Sequence, residues 1–184
     1  MARRPRVELA GGVHHVFARG NNKEAIFLSA RDREVYLATL GEVVLKRRWS
    51  CLAYCLMDNH VHLLVETPEP NLGSGMGRLH TLHAQGFNKT YRRCGHVFQG
   101  RFGSVLMRSD EQLIHVVRYI ALNPVEAGLC VRPEEWQWSS HAAMLSGEAP
   151  PWLDVQRLLG FFGLWGGEPR ERYADFVRSR ASRS

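Results

Sequence analysis

Cysteine is scarce. Cys51, Cys55, Cys94 and Cys130 are the four in 184 residues, and no two form a Cys-x-x-Cys pair. That spacing supports neither a disulfide framework nor a zinc ribbon. Structural or incidental thiols in a reducing compartment are the simpler reading. No apolar run approaches the roughly 20 residues that a membrane-spanning helix needs. The start, Met1-Ala2-Arg3-Arg4-Pro5-Arg6, is basic but lacks the apolar core of a secretory signal. No internal repeat or low-complexity tract is found. Acidic side chains are also short, at 18 against 24 Lys and Arg. The shortage is local. Residues 1–120 hold 17 basic and 10 acidic side chains, whereas residues 121–184 hold 7 and 8. A basic main body with a neutral tail points to a polyanionic partner for the main body.

What is present is enough for a core, since 45% of the residues are hydrophobic. Residues 13–19 read as a first strand, broken by Gly20-Asn21-Asn22. Ser29 can cap a helix over about 31–47. Residues 49–57 and 60–66 read as strands, with Asp58-Asn59 between them as a turn or a bulge. A second helix follows over about 75–92, weakened by Gly75, Gly77 and Gly86. Its His80 and His83 stand at i, i+3, spacing that fits a packed or solvated face better than a metal site. Val97 to Met107 reads as a strand or an extended segment. Ser109 can cap a third helix, which Pro124 should stop near Leu122 or Asn123. The order β-α-β-β-α-β-α predicts an α+β fold: a ferredoxin-like antiparallel sheet (split βαβ) with helices on its faces. From residue 132 the chain changes character. Trp136, Trp138 and Trp152 suit a packing edge more than base stacking, and short helices near 154–162 and 168–180 complete a small helical C-terminal extension.

Two stretches carry the chemistry. In Leu56-Met57-Asp58-Asn59-His60-Val61-His62-Leu63, period two puts His60 and His62 on one face of a strand. Paired imidazoles on a rigid strand can grip one divalent ion, although such a pair alone is weak evidence. About sixty residues on, Arg118-Tyr119-Ile120-Ala121-Leu122-Asn123-Pro124 puts Tyr119 and Asn123 on one helix face. The Asn123 oxygen can complete a two-His metal site, or simply cap a helix before Pro124. Tyr119 one turn away would face a bound phosphate, or be a half-buried core tyrosine. Tyrosine is a weak nucleophile at neutral pH unless a nearby cation stabilises the developing charge.

With Arg19-Gly20-Asn21-Asn22 and His96-Val97-Phe98-Gln99-Gly100-Arg101-Phe102 between and before them, these stretches resemble the IS200-like single-tyrosine transposases with the His-hydrophobe-His motif. The chain looks most like their REP-associated branch, over about residues 3–145. It departs in two places: Asp58 stands where that branch commonly has proline, and Asn123 where the wider insertion-sequence transposases usually have Gln. The resemblance implies a catalytic domain over 1–131 with a basic N-terminal arm, and a helical extension over 132–184 packed on it. It implies that His60, His62 and Asn123 hold a divalent metal, Mg²⁺ or Mn²⁺, and that Tyr119 attacks single-stranded DNA to form a 5′-phosphotyrosine. It implies DNA hairpins with flanking guide sequence as partners, and Arg3, Arg4, Arg6, Arg19, Asn21 and Arg101 as DNA contacts. A bacterial cytoplasmic setting at the nucleoid follows, without a membrane and as a monomer or homodimer. The competing readings are a non-catalytic hairpin-binding protein on the same fold and a metal-dependent hydrolase of small phosphate esters.

Overall fold

The computed structural model describes residues 8–163 and 166–179. β-Branched residues favour β1 (Gly12–Arg19) and β3 (His60–Thr67), whereas β2 (Ser50–Leu56) is an almost wholly buried apolar run, and a four-residue β4 spans Gly103–Leu106. The long helices are α1 (Ala30–Arg47), α2 (Leu72–Tyr91) and α3 (Asp110–Glu126). The strands form one antiparallel sheet in the order β2-β3-β1-β4, the split βαβ arrangement expected from the element order. Val16, Val61, Leu63 and Val65 point to one face and share the core with Tyr36 and Leu40 of α1 and Met76 and Leu79 of α2. The opposite face carries His15, Phe17, His60 and His62, and α3 lies against it.

Local chemistry explains the helix ends. Ser29 and Asp32 form a capping box at the start of α1, and the Tyr91 hydroxyl at the end of α2 donates to the same Asp32 carboxylate at 2.8 Å. Gly75 does not break α2 because a ring needs its space. A Cβ there would lie 2.3 Å from Trp49. His83 donates to the Ile26 carbonyl at 2.8 Å and His80 stacks on Phe98, so the two are packing residues rather than a ligand pair.

One open choice is settled, two expectations change and one element is new. Asp58-Asn59 is a turn, closed by Met57 N–H donating to His60 O at 2.9 Å, and the sheet irregularity falls instead between Cys51 and Ala53. The 97–107 strand shrinks to β4, with Phe98 making a single bridge to Gly20. α3 passes through Pro124 to Glu126. Near a helix end proline removes one intrahelical bond only, and buried Pro124 packs in return while Gly128 in the left-handed region closes the turn behind it. A short helix α4 (His141–Ser146) was not foreseen; α5 (Val155–Gly163) and α6 (Pro169–Arg178) were.

The tail has a structural task. β2 is an edge strand, and residues 138–154 run along it: Leu56 N–H donates to Trp138 O, Ser140 N–H to Tyr54 O and Asp154 N–H to Cys51 O, all within 2.8–2.9 Å. Trp152 packs on Tyr54 and Gly41, which identifies it as a packing residue.

Candidate active site

β3 and α3 together place the four residues that sequence spacing singled out. His60 and His62 are cross-strand neighbours of Arg19 and Phe17 on β1, and their ring centroids lie 5.0 Å apart. Leu113, Ile114, Val117 and Ile120 bury the inner side of α3, which sets Tyr119 and Asn123 on its flank above the histidines. Asn123 is buried, and its Oδ1 lies 3.0 Å from His60 Nε2. Its side chain is therefore turned to the site and does not cap its own helix. The Tyr119 ring is 5.2 Å from that of His62 in the same chain, and 42% of the residue is exposed.

A second layer fixes both imidazoles. His60 Nδ1 meets Asn59 Oδ1 at 2.7 Å, and the Asn59 amide is itself anchored by donating to Lys23 O at 3.0 Å. His62 Nδ1 meets His15 Nε2 at 3.1 Å. Each ring is thus engaged through Nδ1, which directs both Nε2 atoms into the site. The turn before His60 is held from beneath. Asp58 pairs with Arg33, whose side chain is 9% exposed and lies against Phe27, Trp136 and Trp138. The Asp58 carbonyl accepts from Ile26 N–H at 2.8 Å and Phe27 N–H at 3.2 Å. Asp58 therefore anchors the turn by an ion pair, where a proline would fix it by a restricted φ.

Burial favours the neutral form of all three imidazoles. Burial pushes His62 down to about 3, helped by His15 and His60, and pushes His15 down to about 4. Burial also lowers His60, with Arg19 acting the same way and Asn123 and Asp58 against it. Neutral imidazoles offer lone pairs, which is the form a cation requires.

The residues present fit a divalent cation. His62 Nε2 is buried and has no hydrogen-bond partner among the described residues, a cost that a metal bond would remove. The 3.0 Å between His60 Nε2 and Asn123 Oδ1 is what two adjacent ligands about 2.1 Å from one octahedral ion would show. Among the described residues no group of three His, Cys, Asp or Glu is placed to hold a metal ion, so the donors here are imidazole and amide, without a carboxylate.

Not every candidate gathers at the histidines. Arg19 is exposed beside His60. Asn21 and Arg101 instead line a neighbouring cleft of about 590 Å³ between α2 and the 95–102 loop. Arg3, Arg4 and Arg6 lie outside the described residues. His15 was missed by the sequence reading, as were Arg33 and the exposed Phe17. The signal for His15 was available: period two in β1 puts it on the face of Phe17 and Arg19, but only the register of β1 on β3 brings that face to the His pair.

The model of the family described as transposase IS200 like matches residues 11–123, an interval that opens at β1 and closes on Asn123. The chain belongs to the IS200-like transposases. All four residues of the candidate site lie inside the matched interval, and the tail from 132 on lies beyond it. A Haemophilus influenzae protein named as a REP-associated tyrosine transposase is 29% identical to this transposase over 130 residues, 64% of this chain and 67% of that one. The structure of a REP-associated tyrosine transposase bound to a REP hairpin covers 82% of this chain and 89% of its own, with a TM-score of 0.68 at 20% identity. The tRNA(His) guanylyltransferase of Saccharomyces cerevisiae shares the fold at a TM-score of 0.50 and 10% identity, over 99% of this chain and 84% of that one. A sheet shared with so different an enzyme cannot itself specify the reaction, so the side chains on it must. Among the described residues no helix is long and apolar enough to cross a membrane.

Proposed function

We propose that this transposase is metal-dependent and cleaves and rejoins single-stranded DNA at hairpin, REP-like sequences through a 5′-phosphotyrosine intermediate, acting on the bacterial chromosome in the cytoplasm. The observation that carries the reading is the meeting, within one chain, of Tyr119 with His62 at 5.2 Å between rings and of Asn123 with His60 at 3.0 Å. His60, His62 and Asn123 would hold Mg²⁺ or Mn²⁺. Held there, such an ion would stabilise the negative charge on the phosphoryl oxygens.

The work of the protein's own groups follows from their placement. Exposed Tyr119 can meet a strand laid across the sheet face without any rearrangement of the core. Its Oη bonds to phosphorus, the bond from phosphorus to the 3′-oxygen breaks, and the phenolic proton is balanced by the one gained on the free 3′-OH. The phosphoester is conserved in the link, so a 3′-OH can later attack it and release Tyr119 without ATP. His15 and Asn59 hold the two imidazoles in one tautomer and orientation throughout. Arg19, beside His60, is placed to meet the incoming phosphate backbone. The basic N-terminal arm adds charge that raises affinity and on-rate without reading sequence.

The test is covalent trapping. The protein is incubated with Mn²⁺ and hairpin oligonucleotides from repeats near its own gene, denatured, and resolved on a gel. A shifted band that requires metal and disappears in Tyr119→Phe and His60→Ala is the expected result. Tight binding with no band under any divalent metal would instead identify a non-catalytic hairpin-binding protein.

A further inference from the structure

We propose that the cleft between the first half of α2 and the 95–102 loop is a pocket for one unpaired nucleobase of the DNA substrate. The inference rests on the reading of this chain as a single-stranded DNA transposase and adds to it a named base subsite away from the reacting phosphate.

The chemistry of the cleft selects the occupant. Its volume of about 590 Å³ admits a nucleotide with room for its backbone at the mouth. The floor is aromatic. His80 and Phe98 stack at 4.1 Å with 20° between their planes, and Phe102 meets His80 edge-on at 6.3 Å. A flat floor of stacked rings accepts another flat ring. Among the lining residues none is acidic, although the chain carries 18 carboxylates. The ionisable groups there are His80, His96 and Arg101, and exposed Arg101 forms no ion pair among the described residues. A wall of this kind suits a group that is aromatic at one end and anionic at the other. The Asn21 and Gln99 side-chain amides flank the cleft, and neither bonds to the described protein, which leaves donors and acceptors for a base edge.

Position ties the cleft to the site. Gln99 N–H donates to Arg19 O and Asn21 N–H to Val97 O, each at 2.9 Å. The loop is therefore clamped to the end of β1 whose Arg19 neighbours His60. A strand with its scissile phosphate near Tyr119 can turn a nearby base into the cleft. The helix wall is kept bare as well: exposed Gly77 lines the cleft, and a Cβ there would meet nothing within 4 Å. Unlike Gly75, this glycine relieves no packing conflict, and it weakens its helix. A ligand in the cleft explains it.

The experiment fills the cleft without disturbing the fold. Gly77→Leu places a side chain into open space on a helix that favours it, so the unfolding midpoint should hold or rise. Binding is measured by fluorescence anisotropy with hairpin oligonucleotides carrying unpaired flanks, and with the same oligonucleotides in which each flanking base in turn is replaced by an abasic site. One abasic position should weaken wild-type binding by about 5- to 150-fold, the range for one stacked base. Gly77→Leu should weaken the intact oligonucleotide by a similar factor and be indifferent to that abasic position. Arg101→Gln, an independent variant, should lower affinity and reduce the salt slope by about one. Wild-type affinity for the intact flank in a folded Gly77→Leu protein would overturn the proposal. So would equal losses by Gly77→Leu at every abasic position. If the wild type forms the covalent adduct while these variants behave as wild type, the base subsite alone fails. If the wild type neither binds nor reacts with any hairpin, the reading beneath it fails too.

Discussion

Asp58→Asn removes the counter-ion of a guanidinium that is itself almost out of water. Arg33 has a side-chain exposure of 9%, whereas Asp58 has 57%. Breaking a fully buried pair by removing one partner costs about 3–5 kcal/mol. Here the carboxylate is wet and water can partly replace it, so the cost should fall to about 1–2 kcal/mol. Arg33 retains its contact with Ser29 O and the faces of Phe27, Trp136 and Trp138, which prevents a larger loss. The reverse change is milder. Arg33→Met keeps aliphatic volume among three rings and releases Asp58 to solvent, at a cost of under about 1 kcal/mol. The asymmetry is the point: loss of the exposed partner should hurt more than loss of the buried one, and the double variant should resemble Arg33→Met alone. Urea unfolding at pH 7 with a constant m-value measures all three. A Mn²⁺ titration of the same variants separates turn geometry from global stability, because His60 follows the turn directly. A cost for Asp58→Asn below that of Arg33→Met would refute the account of the turn.

Two glycines of α2 should respond with opposite sign. Gly75→Ala drives a methyl into Trp49 and should destabilise by about 1–3 kcal/mol, while Gly77→Ala should stabilise by up to about 1 kcal/mol, both read from urea midpoints. Acid should weaken the tail. His141 is buried against the Tyr173 hydroxyl at 2.7 Å, and burial pushes it down to about 4. The unfolded chain takes up that proton first, near pH 6.5, so the full stability is present above pH 6.5 and is lost as pH falls towards 4. About 2 kcal/mol should be gone at pH 5 from this residue alone, and His141→Gln should flatten the dependence measured between pH 7 and 5. His15→Ala should lower Mn²⁺ affinity about 10- to 100-fold, with the adduct recovered at high metal, since it removes the partner of His62 and leaves the ligand in place. Undiminished affinity, measured by isothermal titration, would show that the His15 contact does not tune the site.

Local signals reached far into this fold. The Ser29 and Ser109 caps, the period-two runs and the apolar stripe of α3 were all readable, because each depends on neighbours within one turn or one strand. The His60, His62, Tyr119 and Asn123 set was readable for the same reason, as two pairs each with its own period. What escaped depends on contacts between distant segments. Arg33 meets Asp58 across 25 positions, and His15 meets His62 across 47. Helix α3 overran Pro124 because the proline ring is buried in tertiary contacts, which outweighed the local rule that proline ends a helix. Strand β4 fell short of its sequence pattern because Gly103 is held against the Phe17 ring, and upstream of it the chain leaves the sheet to form the cleft wall.

The donor set also bears on when a metal would be held. Two neutral imidazoles and an amide bring no negative charge to a divalent ion, and Asp58, the carboxylate nearest in sequence, is already committed to Arg33. A hard cation so held keeps most of its charge uncompensated until an anion arrives. In the proposed reaction that anion is the scissile phosphate. Cation and DNA would then bind with positive coupling, and by linkage each must strengthen the other by the same factor. The arrangement differs from a carboxylate-rich site, which would bind the ion first and repel the phosphate afterwards. Among the described residues, Arg19 is the basic side chain whose charge acts on His60. Positive charge at the periphery draws the strand in, whereas at the donors it would compete with the ion for the same lone pairs and the same phosphate.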